Sequence, residues 1–180
     1  MNKTASRYET ILAAGFVLFS RNPGASLSDF AQEAGIGRAT LHRYFASREA
    51  LMDALCHAAL SEIDAAIDSA THDAKSYTEA LYQSIGAILP LAHRHLFLSY
   101  VTVDDPARAA QFEKSNAQMR EVIDLAKAEG TFDAHVPTAW IATSYDALVH
   151  AGWERVLAQD LTPRQATDLV WRTLTKGMAP

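Results

Sequence analysis

Cysteine is nearly absent from this sequence of 180 residues, since Cys56 is the single one. One thiol permits neither an intramolecular disulfide nor a zinc site built from cysteines, and we expect it to be a buried, inert side chain. Long apolar runs are absent too, because none reaches the roughly 20 residues that a membrane-spanning helix needs. We therefore expect a cytoplasmic protein with no membrane partner.

The apolar stretch 11–19 is the part of the sequence most similar to a targeting segment, because Lys3 and Arg7 precede it, as basic residues precede the apolar region of a signal peptide. Glu9 interrupts that basic region, however, and the apolar residues recur on one helical face. A core helix is the favoured interpretation.

Motifs of enzymes and cofactor sites are missing as well. The sequence holds no nucleophile elbow, no phosphate-binding glycine loop and no His-Glu-x-x-His pair, so we expect no catalytic residues and no cofactor. His93 and His95 stand two positions apart, and on a helix such residues point about 200° apart. We therefore expect no metal site, and an unrecognised helical enzyme is the least favoured interpretation.

Strand-like alternation of apolar and polar residues is also lacking, whereas helical spacing recurs along the whole chain. The sequence therefore predicts an all-α fold of about nine helices without repeats. Beyond two short helices within 26–46, the expected helices cover about 5–21, 47–69, 76–92, 93–103, 106–129, 137–159 and 163–176.

Prolines, glycines and capping residues set several of these expected bounds. Pro90 interrupts the helix predicted over 76–92, because proline has no backbone N–H to donate. Asp104-Asp105-Pro106 and Thr162-Pro163 each place a capping residue before a proline at the first helical position. Pro137 is expected to open a helix in the same way, and Gly130 to end one.

Residues 26–51, SLSDFAQEAGIGRATLHRYFASREAL, are typical of a helix-turn-helix followed by the start of a further helix. Ser26 or Ser28 can cap the first short helix, because a hydroxyl there accepts a hydrogen bond from an unpaired backbone N–H. Gly35 stands where that helix must end, since glycine tolerates the left-handed conformation. A three-helix globule without a DNA-binding role is the structural alternative.

The second short helix of this segment combines buried and exposed residues. Leu41 and Phe45 have the i, i+4 spacing of an inward stripe. The residues left to face outward are Arg38, Ala39, Thr40, His42 and Arg43. Arginine can bond bidentately to guanine, so Arg38 is the expected base contact, with Ala39 close to a thymine methyl.

The stretch from Arg7 to Leu55 resembles the DNA-binding domain of the TetR family of transcriptional regulators. The shared features are an R-x-x-I-L-x-A-A first helix, a serine-capped second helix, the segment AGIGRATLHRYF, and Ser47-Arg48-Glu49 before Leu51. The resemblance implies a DNA-binding domain at 1–48, a helical effector-binding and dimerisation domain at 49–180, and a linking helix at about 47–69. It implies a regulator, most often a repressor, that a small molecule releases from a near-palindromic operator.

The resemblance also implies mainly phosphate contacts for His42, Arg43 and Tyr44. Arg48, beside a helix N-terminus, is expected to bind phosphate together with the helix dipole. The full expected DNA-binding set is Ser26, Ser28, Arg38, Ala39, Thr40, His42, Arg43, Tyr44 and Arg48.

The low positive charge of the DNA-binding segment limits the affinity of a single copy for double-stranded DNA. The net charge of the whole chain is −5, and residues 1–55 hold only six cations against five acids. Because phosphate attraction supplies much of DNA affinity, binding is expected to depend on local geometry and on two copies acting together.

The helix predicted over 137–159 is apolar on two faces. One stripe can cover the core of its own chain, and the other must be buried elsewhere or remain exposed. We expect a homodimer through this helix and the last one, with a monomer that buries both stripes as the alternative. The expected interface residues are Trp140, Ser144, Ala147, Ala151, Leu169, Val170 and Thr173.

The rest of the chain is expected to hold an unidentified small-molecule effector among aromatic and polar side chains of its middle helices. The candidates, each of which can equally be plain core, are Tyr82, His93, Phe97, Tyr100, Phe112, Met119, Tyr145, His150 and Trp153. His95 and Trp140 belong to a wider set. The alternative function is a helical ligand-binding or scaffold dimer that does not bind DNA.

Overall fold

The structure, a computed structural model, describes residues 3–101 and 106–177. These residues form nine α-helices and one short 3-10 helix, which confirms the predicted all-α fold. The α-helices are α1 Lys3–Arg21, α2 Leu27–Glu33, α3 Arg38–Tyr44, α4 Arg48–Thr71, α5 Tyr77–Ile88, α6 Ala92–Tyr100, α7 Pro106–Ala128, α8 Thr138–Leu157 and α9 Pro163–Lys176, with the 3-10 helix at Leu89–Leu91 between α5 and α6.

Two compact units divide these helices by packing. The first unit comprises residues 3–62 together with 93–101, and the second comprises 63–92 together with 106–177. The domain boundary after residue 48, which the sequence motif suggests, stays a prediction about where DNA binding ends.

The first unit is built around an aromatic core. Phe97 of α6 lies edge-on to Phe16 at 5.6 Å between ring centroids, and 6.2 Å from Phe19. Phe19 stacks in turn on Phe30 of α2, also at 6.2 Å. All four rings are at most 1 % exposed. The core beneath the helix-turn-helix therefore includes a side chain from the middle of the chain.

Polar contacts hold α6 to α1 and α4 within the same unit. The Oγ of Ser20 lies 2.9 Å from Nδ1 of His93. The guanidinium of Arg94 pairs with Glu62 at 2.6 Å and lies 5.1 Å from the centre of the Phe16 ring. These contacts join α6 to Ser20 and Phe16 of α1 and to Glu62 of α4.

The second unit buries one face of α8 against α5, α9 and the 3-10 helix. The hydroxyl of Tyr145, fully buried, lies 3.2 Å from that of Ser84, and burial raises the pKa of Tyr145 to about 12. A Cβ at Gly152 would lie 2.9 Å from Leu89 and 3.3 Å from Val170. A larger residue at this point of α8 would have to displace the side chains of Leu89 and Val170, so the close approach favours glycine.

Glu129, the residue directly after α7, caps the start of α5. The carboxylate of Glu129 accepts hydrogen bonds from the backbone N–H groups of Tyr77 and Thr78, both at 2.9 Å. These bonds stabilise the ionised form, so they lower the pKa of Glu129. Gly130 follows with φ +86, which supports the predicted end of this helix.

Three predicted helix bounds require comment. Pro137 is the N-cap of α8, with its carbonyl accepting from Trp140 and Ile141, so the prediction that it is the first helical residue is wrong by one position. The same helix ends at Leu157, because Gln159 turns into the left-handed region at φ 62. The predicted cap at Asp104 and Asp105 lies outside the described residues.

Candidate nucleic-acid interface

The first helix of the helix-turn-helix begins with a reciprocal cap. The hydroxyl of Ser26 accepts from the Asp29 backbone at 3.2 Å, and the Asp29 carboxylate accepts from the Ser26 backbone N–H at 2.9 Å. The bond from the Ser26 N–H, together with one that the Ser26 hydroxyl donates to the same carboxylate at 2.8 Å, lowers the pKa of Asp29. Ser26 is thus the capping residue, and Ser28 lies exposed within α2.

The turn after α2 depends on Gly35, whose φ is +63. Its N–H bonds to the carbonyl of Gln32 at 3.1 Å, and the N–H of Ile36 reaches back to Ala31 at 2.9 Å. This pair of bonds is the Schellman motif, which satisfies the last carbonyls of a helix. Ile36 then packs against the core, and Gly37, with an ordinary φ of −74, caps α3.

The inner side of α3 is fixed by packing. Leu41 and Phe45 are buried, and the ring of Tyr8 on α1 lies 5.8 Å from Phe45 and 6.2 Å from Tyr44. Tyr8 supports α3 from behind, a role that the sequence does not reveal because Tyr8 lies far from Tyr44 and Phe45 along the chain.

The outer side of α3 carries the predicted DNA contacts. At about 100° per residue, Arg38, His42, Ala39 and Arg43 follow one another around α3 on the side away from the core, with Arg38 nearest to Leu41, and all four are exposed. Thr40 and Tyr44 lie between Arg43 and Leu41 on the helix surface and are partly buried. The structure thus presents together two guanidinium groups, an imidazole and a small residue on a helix of two turns.

Arg48 occupies a different environment from the one expected. Its Nη2 donates to the carbonyl of Pro23 at 3.0 Å, and its Nε to the carbonyl of Ala25 at 3.5 Å. Its guanidinium also lies 5.7 Å from the centre of the Phe19 ring. These contacts attach the α1–α2 loop to the start of α4, and the expected phosphate contact of Arg48 stays a prediction.

The predicted effector residues fall into two sets. His93, Phe97 and Tyr100 belong to the first unit, where His93 contacts Ser20, Phe97 fills the aromatic core, and Tyr100 is 54 % exposed. The wider candidate His95 lies in this unit too, and burial lowers its pKa to about 3. The structure therefore does not gather all of the predicted residues into a single unit.

The remaining effector candidates belong to the second unit. The hydroxyl of Tyr82 donates to Asp168 at 2.8 Å on the exposed side of α5 and α9. Trp153 is buried beside His150, while the other members are the fully buried Tyr145 and the half-buried Phe112 and Met119 of α7.

Most of the predicted interface residues lie on the surface of the second unit. Trp140 is 64 % exposed and Leu169 38 %. Ala147, Ala151 and Thr173 are also exposed, and Ser144 is half-buried. Val170 differs, because it faces Gly152 of its own chain and is 4 % exposed. Its burial within one chain corrects its placement on the interface.

The described residues contain no group of three or more His, Cys, Asp or Glu side chains suited to hold a metal ion. Among the helices of residues 3–101 and 106–177, none combines the length and the apolar character that crossing a membrane requires.

Comparison with known proteins places this geometry among bacterial regulators. Residues 11–55 match the sequence profile of the bacterial regulatory proteins of the tetR family. The HTH-type transcriptional repressor LfrR of Mycolicibacterium smegmatis is 33 % identical over 171 residues, which cover 93 % of this chain and 88 % of that protein.

Solved structures agree with that match. The crystal structure of LfrR in complex with proflavine superposes with a TM-score of 0.79 at 28 % identity, covering 99 % of both chains. The MbdR regulator of Azoarcus sp. CIB has the same fold, with a TM-score of 0.78 at 20 % identity over 97 % of this chain and 100 % of that one.

Two glycines of the turn provide a stability test. A Cβ would meet nothing within 4 Å at either Gly35 or Gly37, but only Gly35 has a positive φ. Gly35→Ala should therefore lower the free energy of unfolding by about 1–2 kcal/mol, the cost of a left-handed L-residue. Gly37→Ala is the matched control, and it should cost less because it loses only a glycine N-cap. Equal losses in urea unfolding would contradict the role assigned to Gly35.

Proposed function

This chain belongs to the TetR family of bacterial regulatory proteins and is a helix-turn-helix transcriptional regulator, and we propose that it is a dimeric repressor released from its operator by a small aromatic effector. We also propose that it acts in the cytoplasm, where bacterial DNA lies, and that it works by binding rather than catalysis. A scaffold dimer without DNA binding is less favoured, because such a protein has no need of the outward face of α3.

The observation that carries the DNA-binding proposal is this outward face, held by Leu41 and Phe45 from behind. We assign to Arg38, near the N-terminus of α3, a bidentate contact with guanine. Ala39 allows close approach to a thymine methyl, and Thr40 lies at the edge of the face. We assign phosphate contacts to His42, Arg43 and Tyr44.

Ser26, Ser28 and Arg48 take different roles in this proposal. Ser26 and Arg48 act chiefly inside the protein, the first by capping α2 and the second by holding the carbonyls of Pro23 and Ala25. Ser28 is exposed and available for a backbone contact to DNA. Correct placement of α3 therefore depends on residues that need not contact DNA.

Dimerisation is supported by the surface of α8 and α9. Trp140, Ala147 and Ala151 lie on one side of α8 with exposed side chains, and small residues there allow a partner helix to approach closely. Two recognition helices about 34–36 Å apart would meet successive major grooves, so the operator should be a near-palindrome. Pairing also compensates for the nearly neutral charge of residues 1–55.

The effector proposal rests on the relative LfrR, whose crystal structure holds proflavine, a flat aromatic amine. Aromatic side chains that suit such a ligand occur in the second unit at Tyr145, His150 and Trp153. Two helices provide covalent routes from that unit to the first, because α4 contributes to both units and α6 follows directly on the 3-10 helix. An effector that favours one arrangement of these helices lowers operator affinity by population shift.

Arg38→Ala tests the DNA-binding proposal. In gel shifts with DNA from upstream of its own gene, the natural protein should give a specific, salt-sensitive complex. The variant should lose discrimination at one base position per half-site, which costs about 1–3 kcal/mol. Arg120→Ala, which removes an arginine from α7, is the control and should bind as before. Absence of any specific complex with the natural protein would refute the regulator proposal for this DNA.

Two further arginine variants separate phosphate contact from internal support. Arg43→Ala should weaken binding to all sequences and reduce the slope of log affinity against log salt by about one. Arg48→Ala should weaken specific binding and thermal stability but leave that slope unchanged, because its guanidinium is bound to backbone carbonyls. A reduced slope for Arg48→Ala would restore its predicted phosphate contact.

Ala147→Glu tests the dimer. A carboxylate placed on this small-residue side of α8 should separate the copies, because burying an unpaired charge is costly. Operator affinity should then fall by about a hundredfold or more as the two-site advantage is lost. Ala139→Glu, an exposed change on another side of α8, is the control. A dimer that survives Ala147→Glu in sedimentation would place the interface elsewhere.

A further inference from the structure

Three aromatic rings meet where α3 ends. The ring centroids of Tyr8 and Phe45 are 5.8 Å apart, those of Tyr8 and Tyr44 6.2 Å, and those of Tyr44 and Phe45 6.3 Å. All three separations lie in the range of favourable aromatic pairs. The ring planes are tilted by 34° to 43°, so the three rings form a closed triangle and not a stack.

The three rings differ in burial. Phe45 is 3 % exposed and belongs to the core of the first unit, whereas Tyr8 and Tyr44 are half-buried at its edge. Tyr44 is the last residue of α3 and directly follows the exposed Arg43. The Tyr44 ring therefore lies at the margin between the core and the proposed DNA-binding face, with Tyr8 of α1 packed against it.

The backbone of α3 gives Tyr44 little support of its own. The helix has seven residues, and a helix of that length is not stable without packing. Phe45, the next residue, already has an extended backbone with φ −136 and ψ 115. The orientation of Tyr44 must therefore come from side-chain packing, to which Tyr8 contributes a ring from the 19-residue helix α1.

A fixed ring at Tyr44 favours the phosphate contact that we assign to this residue. A hydroxyl forms a strong hydrogen bond only over a limited range of distances and angles, so few ring positions suit a given phosphate oxygen. A side chain that is ordered before binding also loses less conformational entropy in the complex. Packing that restricts the Tyr44 ring in the free protein therefore raises the affinity for DNA.

We propose that Tyr8 is a positioning residue of the DNA-binding face, which holds the Tyr44 ring so that its hydroxyl meets a phosphate oxygen. This inference rests on the proposed DNA-binding function and adds to it a residue of α1 that acts through Tyr44. Phosphate contacts carry no sequence information directly. Loss of the Tyr8 ring should therefore weaken all duplexes by a similar factor and leave the base preference unchanged.

Tyr8→Leu and Tyr8→Phe test this role by fluorescence anisotropy on two duplexes, one from upstream of the protein's own gene and one of unrelated sequence at low salt. Tyr8→Leu keeps an apolar side chain but removes the ring, and it should weaken binding by about tenfold or more, the cost of ordering one side chain in each protomer of a dimer. Tyr8→Phe retains the ring and should bind like the natural protein. An equal loss in both variants would assign the effect to the Tyr8 hydroxyl and overturn the positioning role.

The double variant with Tyr44→Phe separates positioning from general support of α3. Tyr44→Phe removes the hydroxyl but keeps the three rings, so adding Tyr8→Leu should weaken binding little further, because the contact that Tyr8 positions is already lost. A full additional loss would show that Tyr8 supports α3 as a whole, and it would overturn the specific role. Tyr77→Leu, at a tyrosine of the second unit that is 43 % exposed, is the matched control and should bind as before.

A measurement without DNA distinguishes a failure of this inference from a failure of the proposed function. In NMR spectra of the free full chain with labelled tyrosine rings, Tyr8→Leu should increase the motion of the Tyr44 ring, while urea unfolding of the variant stays cooperative. Unchanged motion of the Tyr44 ring would overturn the inference, whatever the protein binds. Absence of a specific complex with the upstream duplex counts against the regulator proposal alone, since the unrelated duplex still reports on phosphate contact.

Discussion

The packing of Phe97 against the rings of Phe16 and Phe19 is the contact on which the first unit depends. Complete burial of a phenylalanine contributes about 1.5–3 kcal/mol, whereas a partly exposed ion pair such as Arg94–Glu62 contributes about 0–1 kcal/mol. Burial of the Phe97 ring therefore contributes most of the free energy that holds α6 in the first unit, and the polar contacts chiefly set the orientation of α6. Because α1 also supports α3 through Tyr8, a helix from the middle of the chain shares a core with the DNA-binding face.

This arrangement explains how a weakly charged segment can serve in DNA recognition. Fixing the recognition helix before binding reduces the entropy that must be lost in the complex. The Schellman turn at Gly35, the reciprocal cap of Ser26 and the Arg48 contacts to the α1–α2 loop all limit the freedom of α2 and α3. Specificity then depends on geometry and pairing more than on net charge.

Local signals in the sequence predicted much of this fold. The cap at Ser26, the left-handed Gly35 and the Thr162-Pro163 start involve residues a few positions apart, so their physics is contained in a short stretch. Long-range contacts were not predictable in this way. Nothing near Phe97 in sequence indicates that its partners are Phe16 and Phe19, and nothing near Arg48 identifies the carbonyl of Pro23. Val170 was misplaced because a stripe pattern shows that a face is apolar but not which neighbour covers it.

Different sides of α8 have different roles. Tyr145 and Ala147 stand only two positions apart, yet the rotation of about 100° per residue directs them to two sides of the helix: the buried core and the proposed partner surface. A substitution at one of these positions need not disturb the other, since each side chain has its own set of neighbours. The buried Tyr145–Ser84 contact supports this independence, because it anchors α8 to α5 whatever the exposed side of the helix contacts.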